Sequence, residues 1–231
     1  MKTLHVSLQL VLLSAVVSST PAIRSQGTNP PNAILDRHIG TLQLRNTRLS
    51  ETLIDALKQQ QVPGGIAVSY YCGGYQNHLL KPADDTLRSL LDAAVAAEPE
   101  YTWSVDNGAV NLVPRYREPL FLETAIPKLE ISDAGTTNEA LNELLAIPEV
   151  SKQASLELGI RTFGGGGPYG YGPEGAAKSK ISLSLTNVTV RQALNAIARA
   201  RGDAIWLLVN QECIPSSGRK FFSLQFVDLD K

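Results

Sequence analysis

The chain has 231 residues, 43% of them hydrophobic and 19% charged, which is enough to bury the core of one large domain or two small ones. Its formal net charge is −1, so it has no basic field that would attract nucleic acid or an anionic membrane surface. We therefore expect no nucleic-acid partner.

The N-terminus predicts a cleavable signal peptide over residues 1–26. A positive charge precedes an apolar run at residues 8–17. A run of about ten residues is too short to span a bilayer, and the small residues that follow it permit cleavage after Ser19, Ala22 or Gly27. The other interpretation of this segment is a buried N-terminal strand or helix.

No later run approaches the roughly 18 apolar residues that a transmembrane helix needs. The mature chain is therefore expected to be soluble, without a transmembrane segment, and secreted or periplasmic. Its cysteines, Cys72 and Cys213, would then lie in an oxidising compartment, where cysteines tend to pair. The alternatives are a Cys72–Cys213 disulfide, which would close a long loop, and two buried thiols.

Residues 37–115 predict a first α+β subdomain, after a lead-in at 27–36 that is rich in proline and turn formers. Apolar residues alternate in its strands and recur at helical spacing in its helices. Asp84 or Asp85 is predicted to cap the second helix, because a carboxylate accepts bonds from free backbone N–H groups. The predicted elements are strand 41–46, helix 48–61, strand 66–72, a helix ending before Pro99, and a hairpin over 101–114 that turns at Asp106, Asn107 and Gly108.

Residues 119–231 predict a second α+β subdomain, which follows a linker at 114–119. It contains a Gly-rich stretch, 163–178, that predicts a surface loop because so many glycines lose much entropy on ordering. Two of its helices begin with capping boxes. The predicted elements are strand 120–132, a helix capped by Thr136 and Glu139, its break at Pro148 and restart at Glu149, strand 183–185, a helix capped by Thr189 and Gln192, and strands 204–209 and 220–229.

Two internal matches indicate that a strand–helix–strand unit is used more than once. One such unit cannot bury its helix stripe and its sheet face alone, so we predict an α+β fold of repeated small units packed as two subdomains. Residues 42–72 match 183–213 loosely, with Cys72 opposite Cys213. The closer match aligns Thr86, Arg88, Leu91, Ala93, Ala97, Trp103 and Asn107 with Thr189, Arg191, Leu194, Ala196, Ala200, Trp206 and Asn210.

The segment LSLTNVTVRQALNAIARARGDAIWLL, residues 183–208, resembles the short N-terminal (STN-like) domain of secretins and TonB-dependent receptors. That domain runs strand, small residue, [TS]-[VL]-x-x-A-L-x-x-I and strand. Residues 42–70 are similar, with Thr52 where the motif has Ala193. The resemblance implies a small α+β fold used for protein contacts in the periplasm, with no catalytic residues. No barrel follows, so we expect no pore or receptor activity. The whole chain also resembles small exported bacterial proteins of unassigned function.

The chain predicts no catalytic, cofactor-binding or metal-binding residues. His38 and His78 fall in the lead-in and in a turn-rich loop, without the neighbours of a triad or a zinc site. The Gly-rich stretch lacks the Lys-Ser/Thr pair and the following helix of a phosphate cradle. Trp103 and Trp206 occupy matched positions, which favours structural anchors over sugar-binding platforms.

Two functions follow from these patterns. The first is an exported, soluble, non-catalytic protein–protein interaction module of the bacterial cell envelope, with envelope proteins as partners, because short α+β units expose sheet edges. The alternative is a hydrolase with a carboxylate-based site between the two subdomains, since clefts between domains often hold sites. The candidate carboxylates are Glu98, Glu100, Glu123, Asp133 and Glu174.

Overall fold

The computed structural model describes residues 33–39, 48–71, 77, 79–116, 118–158, 160–163, 180–202, 204–212 and 220–228. Its helices are α1 (Leu49–Gln60), α2 (Leu87–Ala97), α3 (Thr137–Leu145), α4 (Pro148–Leu158) and α5 (Val190–Arg201). Its strands are β1 (Gly64–Tyr71), β2 (Tyr101–Asp106), β3 (Ala109–Pro114), β4 (Ala125–Ala134), β5 (Ile160–Phe163), β6 (Ile181–Thr189), β7 (Ala204–Glu212) and β8 (Lys220–Asp228). The predicted α+β fold class is confirmed, whereas the predicted strand 41–46 lies outside the described residues.

Threonine side chains begin α2, α3 and α5 by accepting a bond from the backbone N–H three residues on. Thr189 and Gln192 form the complete predicted capping box. At α3 the box is half formed, because the Glu139 carboxylate accepts from the N–H of Gly135 at 2.6 Å and not from that of Thr136. Local sequence therefore determines where these helices start.

The predicted cap of α2 was wrong by one or two residues. Thr86, and neither Asp84 nor Asp85, accepts the bond from the N–H of Ser89 at 3.2 Å. Asp84 instead accepts bonds from the Thr86 backbone N–H and hydroxyl, at 2.9 and 2.6 Å, and these bonds lower the pKa of its carboxyl. The aspartate thus orients the threonine that caps the helix.

The strand predicted over 120–132 was wrong in its first part, where Leu120–Glu123 form a 3₁₀ turn. Phe121 and Leu122 are both buried in the core that includes residues of α3, α4 and α5. The Glu157 carboxylate of α4 accepts from the backbone N–H groups of Leu120 and Phe121, at 2.9 and 2.5 Å. A distant side chain therefore stabilises the turn.

The strands of the main sheet lie in the order β2-β3-β1-β7-β8-β5. β2 and β3 are antiparallel, and β3, β1 and β7 are parallel. β8 runs antiparallel to β7 and parallel to β5. β4 and β6 form a separate antiparallel pair. The predicted hairpin is present, with a two-residue turn at Asn107 (φ 50°) and Gly108 (φ 81°) that suits the twist of β2 and β3.

The two faces of the main sheet are covered by different parts of the chain. Residues 33–39, α1 and α2 pack on the face that carries Ile66, Leu112 and Leu207. The other face is covered by α3, α4, α5 and the β4–β6 pair, and it carries buried residues that include Trp206, Leu208, Phe222 and Leu224.

The predicted segments 37–115 and 119–231 share this sheet. β1 of the first segment pairs with β7 of the second from Gly64↔Ile205 to Tyr71↔Glu212. The segments are therefore joined by a continuous backbone ladder, and each supplies the helices of one face. The exact division into domains and the repetition of whole units stay predictions.

Candidate interaction surface

β2 forms one outer edge of the six-stranded sheet in the part of the chain that the structure describes. Val110 in β3 donates its N–H to the Pro63 carbonyl at 3.0 Å, so the backbone of Val110 faces β1. Backbone direction alternates along a strand, and residues 109, 111 and 113 therefore bond to β2. Their partners are Asp106, Ser104 and Thr102. The backbone N–H and C=O groups of Trp103 and Val105 consequently point out of the sheet.

Among the described residues, β2 lacks the proline, lysine and bulge that often prevent strand addition at a sheet edge. The side chains of Trp103 and Val105 are half-buried against the core beneath α2, whereas Ser104 is exposed. An added strand would thus meet backbone groups that pair with no other described strand, beside an apolar face.

Inside the chain, a parallel pairing of two strands, β1 and β7, joins the two predicted segments. β7 lies along β1 in parallel, and the Trp206 indole packs directly on Gly65, where an added Cβ would lie 1.8 Å from its Cε2. Gly65 thus leaves the space that a strand carrying tryptophan needs at this junction.

The strands form two groups of three with the same order. In β2-β3-β1 and in β7-β8-β5, the first pair is antiparallel and the second is parallel. β2 therefore holds the place in its group that β7 holds in the other.

Side chains at the sequence-matched positions make matched contacts. The Trp103 indole N–H donates to the Asp92 carboxylate in α2 at 2.9 Å, and the Trp206 indole N–H donates to the side-chain amide oxygen (Oδ1) of Asn195 in α5 at 2.8 Å. Trp206 is fully buried and serves as an anchor, as predicted, whereas Trp103 is only half-buried at the open edge. The indole hydrogen bond of Trp206 is thus shielded from solvent, whereas the corresponding bond of Trp103 is partly exposed.

A groove of about 360 Å³ lies along the outer side of α2. Asp92 is part of its lining and also accepts the bond from Trp103, so the groove adjoins the β2 edge. Its lining contains both acidic and basic side chains, together with small residues that leave space between them. The lining residues are Lys81, Ala83, Asp84, Thr86, Arg88, Ser89, Asp92, Ala93 and Ala96.

None of the predicted candidate carboxylates lines this groove. Glu98 and Glu100 follow α2, whereas Glu123 ends the 3₁₀ turn and Asp133 lies at the β4 bulge with a φ of 56°. Glu174 lies outside the described residues.

A carboxylate pair that the sequence analysis missed lies around Arg191 in α5. Its guanidinium contacts a carboxylate oxygen of Glu118 at 2.9 Å and one of Glu123 at 2.8 Å. Burial raises the pKa of Glu118, and Glu123 adds to this effect, although Arg191 opposes it. The sequence contained one sign of this cluster, because Arg191 is aligned with Arg88 in the internal match. In the structure, Arg88 also contacts a carboxylate, that of Asp36, at 3.1 Å. The cluster attaches the segment before β4 to α5.

The other predicted site residues are not assembled into a reactive centre in the described ranges. His38 lies 2.8 Å from Asp85 and is 75% exposed in its side chain. Among the described residues, no three histidine, cysteine, aspartate or glutamate side chains are grouped so that they could hold a metal ion. Cys72, Cys213, His78 and most of the Gly-rich stretch lie outside the described residues, so the predicted disulfide stays a prediction.

No protein-family model matches the chain, and no curated protein or solved structure matches it. In the ranges that the structure describes, no helix has the length and apolar character needed to cross a membrane.

Proposed function

We propose that this protein is an exported, non-catalytic protein–protein interaction module of the bacterial cell envelope that binds its partner by strand addition at β2. The observation that carries this proposal is the outward direction of the Trp103 and Val105 backbone groups at a regular sheet edge. The predicted signal peptide and the resemblance to STN-like domains support the location in the envelope.

Binding at this edge has a defined physical basis. Backbone bonds to Trp103 and Val105 supply affinity that does not depend on the partner's side chains. Alternate side chains of the added strand lie on the α2 side, where they meet the half-buried Trp103 and Val105 and the groove that Asp92 lines. A partner strand with apolar residues at alternate positions is therefore preferred.

The proposal is tested by photo-crosslinking in the native envelope, with a benzophenone amino acid at Ser104 or at Ser184. Both residues are exposed on strands, but Ser184 is on β6, away from the edge. We expect a discrete adduct from Ser104 and none from Ser184. The adduct should be lost with Val105→Pro, which removes an outward N–H without breaking the bonds between β2 and β3.

Val105→Thr is the matched control, since it retains both the backbone N–H and the branched shape. It should keep the Ser104 adduct, and circular dichroism should show that Val105→Pro is folded. An adduct that persists in folded Val105→Pro, or equal adducts from Ser104 and Ser184, would refute strand addition at β2.

A further inference from the structure

We infer that the strand added at β2 is β2 of a second copy of this chain, paired antiparallel across a two-fold axis at Ser104. This inference rests on the proposed function, because it names the partner of the same edge. β2 has the pattern that the edge prefers in a partner strand, since its apolar side chains, Trp103 and Val105, alternate and lie on the α2 face. The sheets of the two copies thus join into one continuous sheet.

Backbone groups at both ends of the β2 edge are already bonded within the chain. The Tyr101 N–H donates to the Glu98 carbonyl at 3.1 Å. The Asn107 carbonyl accepts from the Arg199 guanidinium at 2.8 Å. The outward groups that lie between these ends belong to residues 103 and 105, and they pair with no other described strand. An added strand therefore bonds to a short segment centred on residue 104.

An antiparallel copy of β2 matches this segment. With the axis at Ser104, Trp103 of each copy lies opposite Val105 of the other. Each such pair exchanges both backbone bonds, because both of its residues point out of their own sheet. An axis at residue 103 or 105 would instead place residue 101 or 107, whose groups are already bonded, opposite an outward residue. The axis at Ser104 thus uses the outward groups of both copies completely.

The side chains that this register places opposite one another are compatible. On the α2 face, the Trp103 indole lies beside Val105 of the other copy, and pairs of an aromatic with a β-branched side chain stabilise antiparallel strands. On the other face, the exposed Ser104 lies opposite the same residue of the other copy. Thr102 lies opposite Asp106, so no two like charges are directly opposed.

The surface beside the edge also suits a second copy. The two-fold axis is perpendicular to the sheet, so it brings the α2 faces of the two copies to the same side. The groove along α2 contains both acidic and basic side chains, so two copies of it do not oppose surfaces of a single charge sign. Ala93 and Ala96 in its lining leave space beside the edge. A two-fold contact of this kind is closed, and assembly stops at a dimer.

Disulfide capture tests the position of the axis in the mature chain, with Cys72 and Cys213 replaced by serine. Ser104→Cys places the thiols of two copies directly opposite each other. The Cα atoms of such a pair lie about 4.5 Å apart, which a disulfide spans. We expect mild oxidation to produce a covalent dimer of Ser104→Cys. Ser184→Cys is the matched control, because Ser184 is also an exposed serine on a strand, and it should stay monomeric.

The direction of pairing is tested with Thr102→Cys and Asp106→Cys in the same background. The two chains should form a disulfide dimer when mixed, and Thr102→Cys alone should form none. If Ser104→Cys gives no more dimer than Ser184→Cys, or if Thr102→Cys dimerises alone, the antiparallel arrangement is overturned. Circular dichroism of each chain shows that the compared variants are folded.

Sedimentation velocity provides a second measurement on chains that keep both cysteines. The unmodified chain and Val105→Thr should pass from monomer to dimer as concentration rises, whereas folded Val105→Pro should stay monomeric. Association through a disulfide between chains would appear in Val105→Pro as well. A monomer at all concentrations for the unmodified chain, species larger than a dimer, or equal dimer in Val105→Pro would overturn the inference. If the Ser104 photo-adduct then contains a different protein and is lost with Val105→Pro, strand addition at β2 stands and only self-pairing fails.

Discussion

The two indole hydrogen bonds provide a test of how burial determines stability. Asn195→Ala removes the acceptor of the fully buried Trp206, and a buried donor without a partner costs about 1–3 kcal/mol. Asp92→Ala removes the acceptor of Trp103, which is half-buried and can bond to water instead. This second change should cost less than about 1 kcal/mol. We therefore expect the free energy of unfolding of Asn195→Ala to be about 1–2 kcal/mol lower than that of Asp92→Ala.

Urea unfolding followed by far-ultraviolet circular dichroism measures this difference, because tryptophan fluorescence would itself change in both variants. Asn195→Leu is the control for lost volume: it fills the site but leaves Trp206 without an acceptor, so it should also cost about 1–3 kcal/mol. The slopes with urea should be the same in all chains. Equal costs for Asn195→Ala and Asp92→Ala, to within about 0.5 kcal/mol, would contradict the role of burial.

Three further predictions concern the core and the Arg191 cluster. Gly65→Ala should cost about 3 kcal/mol in the free energy of unfolding, because its Cβ would overlap the Trp206 indole. Leu35→Ala should cost about 2–5 kcal/mol by leaving a cavity beside α2, since Leu35 is 1% exposed. Burial raises the pKa of Glu118 above its ordinary 4.5, so the fold disfavours the carboxylate, and the contribution of this group to stability increases as the pH falls from about 7 towards that range. Glu118→Gln removes this gain, and urea unfolding at about pH 7 and about pH 4.5 should show the change.

The controls for these predictions use the same unfolding measurement. Leu79→Ala changes a leucine that is 57% exposed and should stay within about 0.5 kcal/mol of the unmodified chain. Gly108→Ala adds a Cβ with no atom within 4 Å, so it should cost only the backbone strain of its positive φ, about 1 kcal/mol. If Gly65→Ala lowers the free energy of unfolding by no more than Gly108→Ala does, the tight packing of Trp206 on Gly65 is contradicted. A Glu118→Gln difference that is independent of pH would contradict the raised pKa.

The sequence by itself determined the elements that depend on near neighbours. α5 follows from the Thr189–Gln192 box, the apolar spacing and Gly202, because all of these act within a few residues. The β2–β3 hairpin follows from Asn107 and Gly108 for the same reason. The match between the Thr86 and Thr189 segments also indicated residues that make the same contacts, including the two tryptophans.

Only the tertiary structure decided how these elements combine. The parallel pairing of β1 with β7 joins residues more than a hundred positions apart, and alternating apolar residues do not specify which strands become neighbours. The 3₁₀ turn at Leu120–Glu123 depends on Glu157, and the Arg191 cluster depends on how α5 packs. The outer position of β2 is likewise a property of strand order. Local sequence makes a strand, but the order of the described strands leaves β2 with a single neighbour, β3.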